Sequence, residues 1–356
     1  MNEKPQNRPG ADVPLRVVAW ETTRQCNLDC IHCRAAASHG RPENELTTQE
    51  GRGLILQIAE RAKPLLILSG GEPLMRPDIF DLARIASNAG LKTVLATNAT
   101  LLEAEHVRRM RNAGVLGVSV SFDGPDAETH DRVRASKGAF ERSLRGLALL
   151  RKDGMPFQIN FTVCRENADR LDGMIALAER EGAHTLDVFM LVPTGRARNG
   201  EPLGVSARQY EAILRNIARR ADDAPITLRV TCGPHYQRIL REMNVTSGVR
   251  ASGCMAGTSF VFVSHRGEVF PCGYLDVSCG DARRDGFWKV WDESPVLRSL
   301  RNRSAFKGKC GRCEYVEVCG GCRARAFGLT GDYLAPEPLC AYQPEAAPRS
   351  AAGSER

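Results

Sequence analysis

The chain has 356 residues, of which 42% are hydrophobic, so it can form one large domain or two smaller ones around a substantial core. It contains no run of about 18 apolar residues, and residues 1–14 are polar without the apolar segment of a secretion signal, so we expect a cytoplasmic protein with no membrane partner. The net charge of +7 is scattered along the chain and aromatic residues make up only 6% of it, which argues against nucleic acid as a partner but is compatible with a smaller anionic substrate.

Predicted strands and helices alternate from about residue 15 to residue 230. The six predicted strands are residues 16–22, 65–69, 92–97, 115–121, 157–163 and 185–191. The predicted helices are residues 47–62, 77–89, 101–113, 139–152, 168–180 and 206–220. Such alternation is typical of parallel βα units, which form either a full or partial barrel or an open doubly wound sheet. In either architecture we expect functional side chains at the C-terminal ends of the strands.

Three cysteines follow the first predicted strand at the spacing C-x3-C-x2-C. They are Cys26, Cys30 and Cys33. Thiolates are the usual protein ligands of iron–sulfur clusters, and a cluster normally takes four of them. Three ligands from one short loop would leave one iron open to an external molecule, whereas a structural zinc site would need a closed shell. A zinc knuckle or a set of buried thiols is the alternative.

Small or polar motifs also follow the next three strands. The run Gly70-Gly71-Glu72 comes after the second strand, where adjacent glycines allow close approach of a ligand and a carboxylate can accept from an ammonium group. Asn98 follows the third strand, and Ser121 ends the fourth. The alternative for these two residues is a polar strand end, followed by a turn at residues 123–124.

The remaining cysteines are concentrated near the C-terminus. Cys164 stands alone and is predicted to be a small buried side chain. Nine of the 13 cysteines lie beyond residue 231, and in a reducing compartment metal or cluster ligation is a better explanation than disulfides. They include two C-x2-C hooks, at residues 310–313 and 319–322. Zinc ribbons usually have a longer spacer, so the hooks are predicted to serve different sites or one compact cluster, with zinc as the alternative.

The C-x3-C-x2-C loop, followed about 40 residues later by Gly-Gly-Glu, resembles the radical S-adenosylmethionine (AdoMet) enzymes. The resemblance implies a partial (βα)6 barrel of the TIM type. It also implies a [4Fe–4S] cluster on the three loop cysteines, whose open iron holds the amino and carboxylate groups of AdoMet. The implied AdoMet-binding residues are Gly70, Gly71, Glu72, Asn98 and Ser121. His32, beside the last loop cysteine, would pack over the cluster.

The C-terminal cysteines resemble the motif of the SPASM domain, which carries auxiliary [4Fe–4S] clusters in many radical AdoMet enzymes. One implied ligand set is Cys310, Cys313, Cys319 and Cys340. A second is Cys254, Cys272 and Cys322, completed by Cys232 or by an open iron, while Cys279 fits less well. The sequence departs from the motif at Cys322, which follows Cys319 at x2 where the family has x3. The implied domains are a tail (1–14), the barrel (15–230), the auxiliary-cluster domain (231–343) and a second tail (344–356).

Segments over nearly the whole chain, among them residues 20–24, 157–160, 192–196 and 319–333, resemble enzymes that act on iron tetrapyrroles. The resemblance is strongest to the heme synthases of the siroheme-dependent heme pathway. It implies that a 5′-deoxyadenosyl radical abstracts propionate hydrogens of Fe-coproporphyrin III, and that two propionates leave as carbon dioxide to give the vinyl groups of heme b. Sister reactions in the group are deacetylation of didecarboxysiroheme and heme d1 maturation.

The resemblance also implies partners and leaves alternatives. Arg196 is a candidate for binding a substrate carboxylate, with a solvated loop as the alternative. His235 is a candidate for binding the substrate iron, with a satisfied surface or core histidine as the alternative. We expect a reductant such as flavodoxin or ferredoxin, and a monomer. A SPASM peptide maturase is an alternative, although the roughly 15 residues before the first strand are too few for the leader-binding domain common in such enzymes. A non-catalytic cluster carrier is another, but it would not need the Gly-Gly-Glu motif.

Overall fold

A computed structural model describes residues 14–199, 203–245 and 253–345. The two predicted tails, 1–14 and 344–356, lie outside the described residues except for residues 14, 344 and 345. The described part contains one ten-stranded sheet. Its strands are β1 (Val17–Glu21), β2 (Leu65–Ser69), β3 (Lys92–Thr97), β4 (Val115–Ser121), β5 (Phe157–Val163), β6 (Thr185–Met190), β7 (Thr227–Thr231), β8 (Phe260–Val263), β9 (Glu268–Phe270) and β10 (Gly280–Asp281).

The sheet is mostly parallel. Its order is β10-β9-β8-β1-β2-β3-β4-β5-β6-β7, with β1 to β8 joined in parallel and β9 and β10 added as antiparallel strands. All six predicted strands are present as β1 to β6. β7 and β8 were not predicted, and each extends the parallel part of the sheet at one end.

Helices follow most of the parallel strands. They are α1 (Thr48–Arg61), α2 (Ile79–Asn88), α3 (Ala104–Asn112), α4 (Ala127–Arg134), α5 (Ala139–Asp153), α6 (Leu171–Glu181), α7 (Arg196–Asn199), α8 (Ala207–Arg220), α9 (Tyr236–Glu242), α10 (Phe287–Glu293), α11 (Pro295–Arg301), α12 (Gly308–Gly311) and α13 (Arg323–Thr330). The start of α1 is fixed by a capping box between Thr47 and Glu50. Among the described residues, no helix is long and apolar enough to cross a bilayer.

One face of the sheet is packed against the helices. Along β5, Phe157, Ile159 and Phe161 are at most 3% exposed, and they belong to the main hydrophobic core with side chains of α5 and α6. Burial of each such side chain contributes about 1.5–3 kcal/mol. The alternating residues of β5 point to the opposite face, as the two-residue period of a strand requires.

That opposite face is polar along β5 to β7. Asn160, Asp187 and Arg229 lie opposite one another in the strand register, and Gln158 lies two residues before Asn160 on the same face. The Arg229 guanidinium donates to Asp187 at 2.7 Å and to Gln158 at 2.8 Å, and the Thr231 hydroxyl donates to Asp187 at 2.8 Å. On β1 to β3 the same face carries mainly aliphatic side chains such as Ile67, so it combines an apolar half with a polar half.

The sheet continues across the predicted domain boundary at residue 230. β7 spans that position, and β8 pairs in parallel with β1, with Ala19 opposite Phe262. Residues beyond 231 therefore contribute a strand next to the one that leads into the first cysteine loop. The division into a barrel and an auxiliary-cluster domain stays a prediction.

Candidate metal centres

The first cysteine loop follows β1 directly. Cys26 and Cys30 are buried and Cys33 is half-buried, and all three pack in one small apolar cluster that includes Leu28 and Ala37. The Cys33 N–H donates to the Cys30 carbonyl at 3.1 Å, which forms a tight turn. The fold thus brings together the three thiols that the sequence spacing predicted as ligands.

Donor groups point at each of these sulfurs. The Ala37 N–H lies 3.5 Å from the Cys33 sulfur, an Arg134 nitrogen 3.7 Å from that of Cys30, and the Asn98 amide nitrogen 4.0 Å from that of Cys26. Such donors suit thiolate sulfurs. Burial nevertheless raises the pKa of the Cys26 thiol to about 12, so a bound metal centre must displace its proton. The donor set therefore fits an iron–sulfur cluster.

The two glycines after β2 lie against the chain that leads into the cysteine loop. A Cβ on Gly70 would lie 2.6 Å from the Thr23 carbonyl oxygen, and one on Gly71 would lie 2.4 Å from that of Gln25. The Gly71 N–H donates to the Thr23 carbonyl at 2.7 Å. Close backbone packing is thus sufficient reason for both glycines, and their contact with AdoMet stays a prediction.

Glu72 is fully buried beside these glycines. Its carboxylate accepts from the Thr97 hydroxyl and the Asn98 N–H, each at 2.8 Å, and from the Leu74 N–H at 3.1 Å. Burial raises the pKa of Glu72 to about 7. The carboxylate therefore links the C-terminal ends of β2 and β3, and a ligand ammonium group would be an additional donor to it.

Asn98 and Ser121 lie at the same edge of the sheet. The Asn98 amide donates to the Asn27 side chain at 3.0 Å, and its oxygen accepts from the Thr100 N–H at 2.9 Å, so it is tied to the cysteine loop. Ser121 ends β4 and lies opposite Asn160 of β5. Both positions agree with the predicted site, and AdoMet contacts for these two residues stay a prediction.

Asp123, predicted only as part of a turn, is a buried ionic centre. It pairs with Arg134 at 2.9 Å and with His32 at 3.2 Å, and it accepts from the Thr162 N–H at 2.8 Å. His32 was predicted as a packing residue over the cluster, but its ring nitrogen faces this carboxylate. Asp123 therefore connects the cysteine loop with α4 and β5.

The helix that carries Arg134 was missed in the sequence. α4 has the mostly polar sequence AETHDRVR, so it lacks a clear apolar face. A signal was present: Asp126 precedes the helix and accepts from the Thr129 N–H at 2.8 Å, as an N-cap residue does.

Arg196 contacts the cysteine loop rather than an open pocket. Its guanidinium donates to the carbonyls of Cys30 and Ala37 at 2.9 and 2.8 Å, and its backbone N–H donates to the Cys33 carbonyl at 3.0 Å. These contacts make Arg196 a positioning residue for the loop. Only its Nη2 atom, buried without a hydrogen bond, remains for the substrate carboxylate that the sequence suggested.

The predicted set Cys310, Cys313, Cys319 and Cys340 lines a single cavity. The Gly321 N–H points at the Cys319 sulfur at 3.4 Å, and the Glu337 N–H at that of Cys310 at 3.3 Å. His235 lines the same cavity and is 1% exposed, with neither ring nitrogen hydrogen-bonded. Burial lowers the pKa of His235 to about 4, so it is neutral. Ligation of substrate iron by His235 stays a prediction, and its position is beside this cysteine set.

The second C-terminal set is also assembled by the fold. Cys322, whose spacing departs from the motif, is buried and packs in one apolar cluster with Cys232 and Cys272. Cys279 lies apart, with its thiol directed to the Val277 carbonyl at 3.8 Å. Cys164 is fully buried, which confirms its predicted position.

Within residues 14–199, 203–245 and 253–345, no three His, Cys, Asp or Glu side chains are arranged to hold one metal ion. In a [4Fe–4S] cluster each thiolate binds a different iron, so the ligands of a cluster do not converge on one ion.

Comparison with known families identifies the domains that carry these cysteines. Residues 20–178 match the model of the radical SAM superfamily, and residues 254–323 match the SPASM model, described as an iron-sulfur cluster-binding domain. This chain belongs to the radical SAM enzymes that carry a SPASM domain. The predicted superfamily, α/β fold class and cofactors are thereby confirmed, so the cofactors of this radical SAM enzyme are [4Fe–4S] clusters and AdoMet.

Its relatives match over nearly their full length. The chain is 48% identical to the AdoMet-dependent heme synthase of Methanosarcina barkeri over 92% of this chain and 97% of that protein. It is 43% identical to the AdoMet-dependent heme synthase of Nitratidesulfovibrio vulgaris, over 92% and 93%. It is 32% identical to the Fe-coproporphyrin III synthase of Methanosarcina barkeri, over 91% and 87%.

Solved structures of lower identity share the fold. Streptococcus suis SuiB bound to precursor peptide SuiA superimposes with a TM-score of 0.73 at 17% identity, over 93% of this chain and 76% of that one. Native anSMEcpe with bound AdoMet and a Cp18Cys peptide gives 0.71 at 18% identity, over 92% and 94%.

Proposed function

We propose that this radical SAM enzyme converts Fe-coproporphyrin III into heme b by oxidative decarboxylation of two propionates. The observation that carries the proposal is the identity of 48% and 43%, over more than nine-tenths of the chain, to proteins named AdoMet-dependent heme synthase.

The proposed reaction has a simple balance. Each propionate loses one hydrogen atom, one carbon dioxide and one electron, and the two side-chain carbons that remain become a vinyl group. Cys26, Cys30 and Cys33 would hold the cluster at which AdoMet binds, and AdoMet would supply, on reductive cleavage, the radical that takes the hydrogen atom. The released electron needs an acceptor, and the auxiliary clusters supply a class of acceptor within the same chain.

The chain itself offers a docking surface for a flat, partly apolar anion. The sheet face opposite the helices has aliphatic side chains on β1 to β3 and the hydrogen-bonded group Gln158, Asp187, Arg229 and Thr231 on β5 to β7. Arg229 is partly exposed on this face, and because its Nε and Nη2 atoms donate to Asp187 and Gln158, its Nη1 atom is the donor proposed for a substrate carboxylate. The apolar half suits a macrocycle, and the polar half suits its carboxylates.

A sister reaction is the second candidate. The chain is 32% identical to a protein named Fe-coproporphyrin III synthase. If this chain catalysed that sister reaction, Fe-coproporphyrin III would be its product and not its substrate. Because this identity is lower than the 48% and 43% to the heme synthases, we favour the heme synthase reaction over the sister reaction.

The deciding experiment compares two substrates under one condition. The protein is reconstituted anaerobically with iron and sulfide, reduced with dithionite, given AdoMet, and offered Fe-coproporphyrin III or didecarboxysiroheme. We expect mass spectrometry to show loss of two formic-acid masses from the former, giving heme b, and no change in the latter. The matched control is the Cys30→Ala variant treated identically. Conversion of didecarboxysiroheme alone would reject the heme synthase proposal in favour of the sister enzyme.

A further inference from the structure

Cys232 lies outside the residues that match the SPASM family model. It follows β7 directly, 22 residues before Cys254, whereas the SPASM match begins at residue 254. The sequence left two possibilities for the fourth position of the Cys254, Cys272 and Cys322 set, namely Cys232 or an open iron. Whether Cys232 can be a cluster ligand depends on where the fold places its thiol.

The fold places that thiol among three others. The Cys232 thiol packs with Cys322 and Cys272 in the apolar cluster that also contains Leu275. Cys254 is close enough to Cys272 and Cys322 for its thiol to interact electrostatically with both, and its N–H donates to the Cys319 carbonyl at 2.9 Å. Four free thiols from four separate chain segments thus surround one apolar site.

The backbone of Cys232 is held in a conformation that residues with a side chain rarely adopt. Its φ is +57°, in the left-handed region. Its carbonyl accepts from the Arg325 guanidinium at 3.0 Å and from the Tyr210 hydroxyl at 3.1 Å, and both side chains are buried. Backbone strain of this kind persists only where surrounding contacts impose it, and it concentrates at functional sites.

Arg325 joins Cys232 to the other ligands. It lies on α13, whose N-cap residue is Cys322, so one helix end carries Cys322 and also fixes the Cys232 backbone. Arg325 is itself held by an ion pair with buried Glu337 at 3.2 Å. Because Glu337 also accepts from the Cys322 N–H at 2.8 Å, the positions of the two thiols are mutually fixed.

From this geometry we propose that Cys232 is the fourth protein ligand of the auxiliary cluster held by Cys254, Cys272 and Cys322. That cluster then has a thiolate on every iron and no position for a substrate atom. It can exchange electrons with a substrate only across a distance. The inference depends on the SPASM assignment and is independent of which tetrapyrrole is the substrate.

The test isolates the auxiliary clusters in the full-length chain. Cys26, Cys30 and Cys33 are replaced by alanine, which removes the only cluster expected to have an open iron. Cys232→Ala is then added to this background, with Cys279→Ala as the matched control, since Cys279 is a half-buried thiol of the same region directed at a backbone carbonyl. Each protein is reconstituted with ⁵⁷Fe and studied by Mössbauer and EPR spectroscopy, with and without potassium cyanide as the probe of an open iron.

With Cys232 present, we expect iron typical of thiolate ligation only, and EPR spectra that cyanide does not change. In the Cys232→Ala protein we expect one of two results. Either the Mössbauer spectrum contains a distinct component for about one iron in eight and the EPR spectrum changes with cyanide, or the protein loses about four irons per chain. The Cys279→Ala control should match the background protein. A Cys232→Ser variant repeats the Mössbauer measurement if the alanine protein does not fold, and there too a distinct iron component is expected.

Two outcomes would overturn the proposal. One is a distinct, cyanide-sensitive iron already present while Cys232 is intact. The other is a Cys232→Ala or Cys232→Ser protein with unchanged iron content and unchanged spectra. Neither readout uses a tetrapyrrole, so failure here is distinguishable from failure of the heme synthase proposal.

Discussion

The two cysteine regions of this enzyme are built in different ways. In the first, the three ligands lie within eight residues, and the loop closes on itself through the turn from Cys30 to Cys33. In the second, the cysteines come from segments between residues 232 and 340, and contacts of buried side chains such as Arg325 and Glu337 bring them together. Spacing alone therefore identifies the first set, whereas the second depends on the tertiary fold.

The difference also concerns coordination. Three thiols in the first loop leave room for AdoMet, while each C-terminal set is proposed to have four. The chain would then separate an open cluster, where a cofactor binds, from closed clusters that exchange electrons. Variants that remove one ligand from each region test this separation.

Cys30→Ala should have the largest effect. Loss of one of three ligands destroys the site that AdoMet needs, so we expect 5′-deoxyadenosine release to fall to the background of the assay. The measurement is liquid chromatography of reactions with dithionite and AdoMet. Cys164→Ala is the control, because Cys164 is a buried thiol outside the apolar cluster of the loop cysteines and should leave release intact. Continued release by Cys30→Ala would remove the cluster assignment.

Cys313→Ala should separate the two regions. It removes one thiol from the cavity lined by Cys310, Cys319 and Cys340, so iron content should fall by about four per chain while AdoMet cleavage continues. Iron analysis and 5′-deoxyadenosine assays on the same sample measure both effects. An unchanged iron content would eliminate this auxiliary site, and a loss of AdoMet cleavage would show that the regions are not independent.

The same contrast explains what the sequence could and could not predict. Strands such as Leu65–Ser69 and Lys92–Thr97 have the predicted bounds, because their apolar runs are short and bounded by turn residues. The C-x3-C-x2-C spacing also allowed the three loop cysteines to be predicted as one ligand set. β8 was missed because its FVFV run has no helix after it and pairs with β1, some 240 residues away in the chain.

Residue roles were harder to predict than residue positions. Arg196 was a candidate for binding a substrate carboxylate, with a solvated loop as the alternative, and the structure adds contacts with the cysteine loop that neither interpretation included. Asp123 was interpreted as a turn, yet it pairs with His32 and Arg134. In each case the partners come from different segments of the chain, so no local pattern could reveal the interaction.

Arg134→Met should weaken the support of the first loop. It leaves the buried Asp123 carboxylate with the His32 ring and the Thr162 N–H as its remaining partners, and breaking a buried pair costs about 3–5 kcal/mol of unfolding free energy. Arg132→Met is the control on the same helix, because its ion pairs with Glu128 and Glu166 are at the surface and contribute about 0–1 kcal/mol. Anaerobic denaturant unfolding of the loaded protein measures both. Equal unfolding midpoints would refute the role of this pair.

His235→Phe should have the smallest effect, on the cluster of the Cys310 set. His235 is neutral and buried, and it lines that cavity without a hydrogen bond to the protein. A ring N–H that donates to the cluster would stabilise the reduced form, and loss of about 1 kcal/mol would lower its potential by about 40 mV.

An EPR-monitored redox titration of that cluster distinguishes the two roles considered for His235. A lowered potential with an unchanged absorption spectrum of bound Fe-coproporphyrin III would place His235 at the cluster. An unchanged potential with an altered Soret band would make it a ligand of the substrate iron instead. Because His235 lies beside Cys310 and Cys319 rather than beside the loop at Cys30, we expect the first result, which would assign this histidine to electron transfer in the closed region of the enzyme.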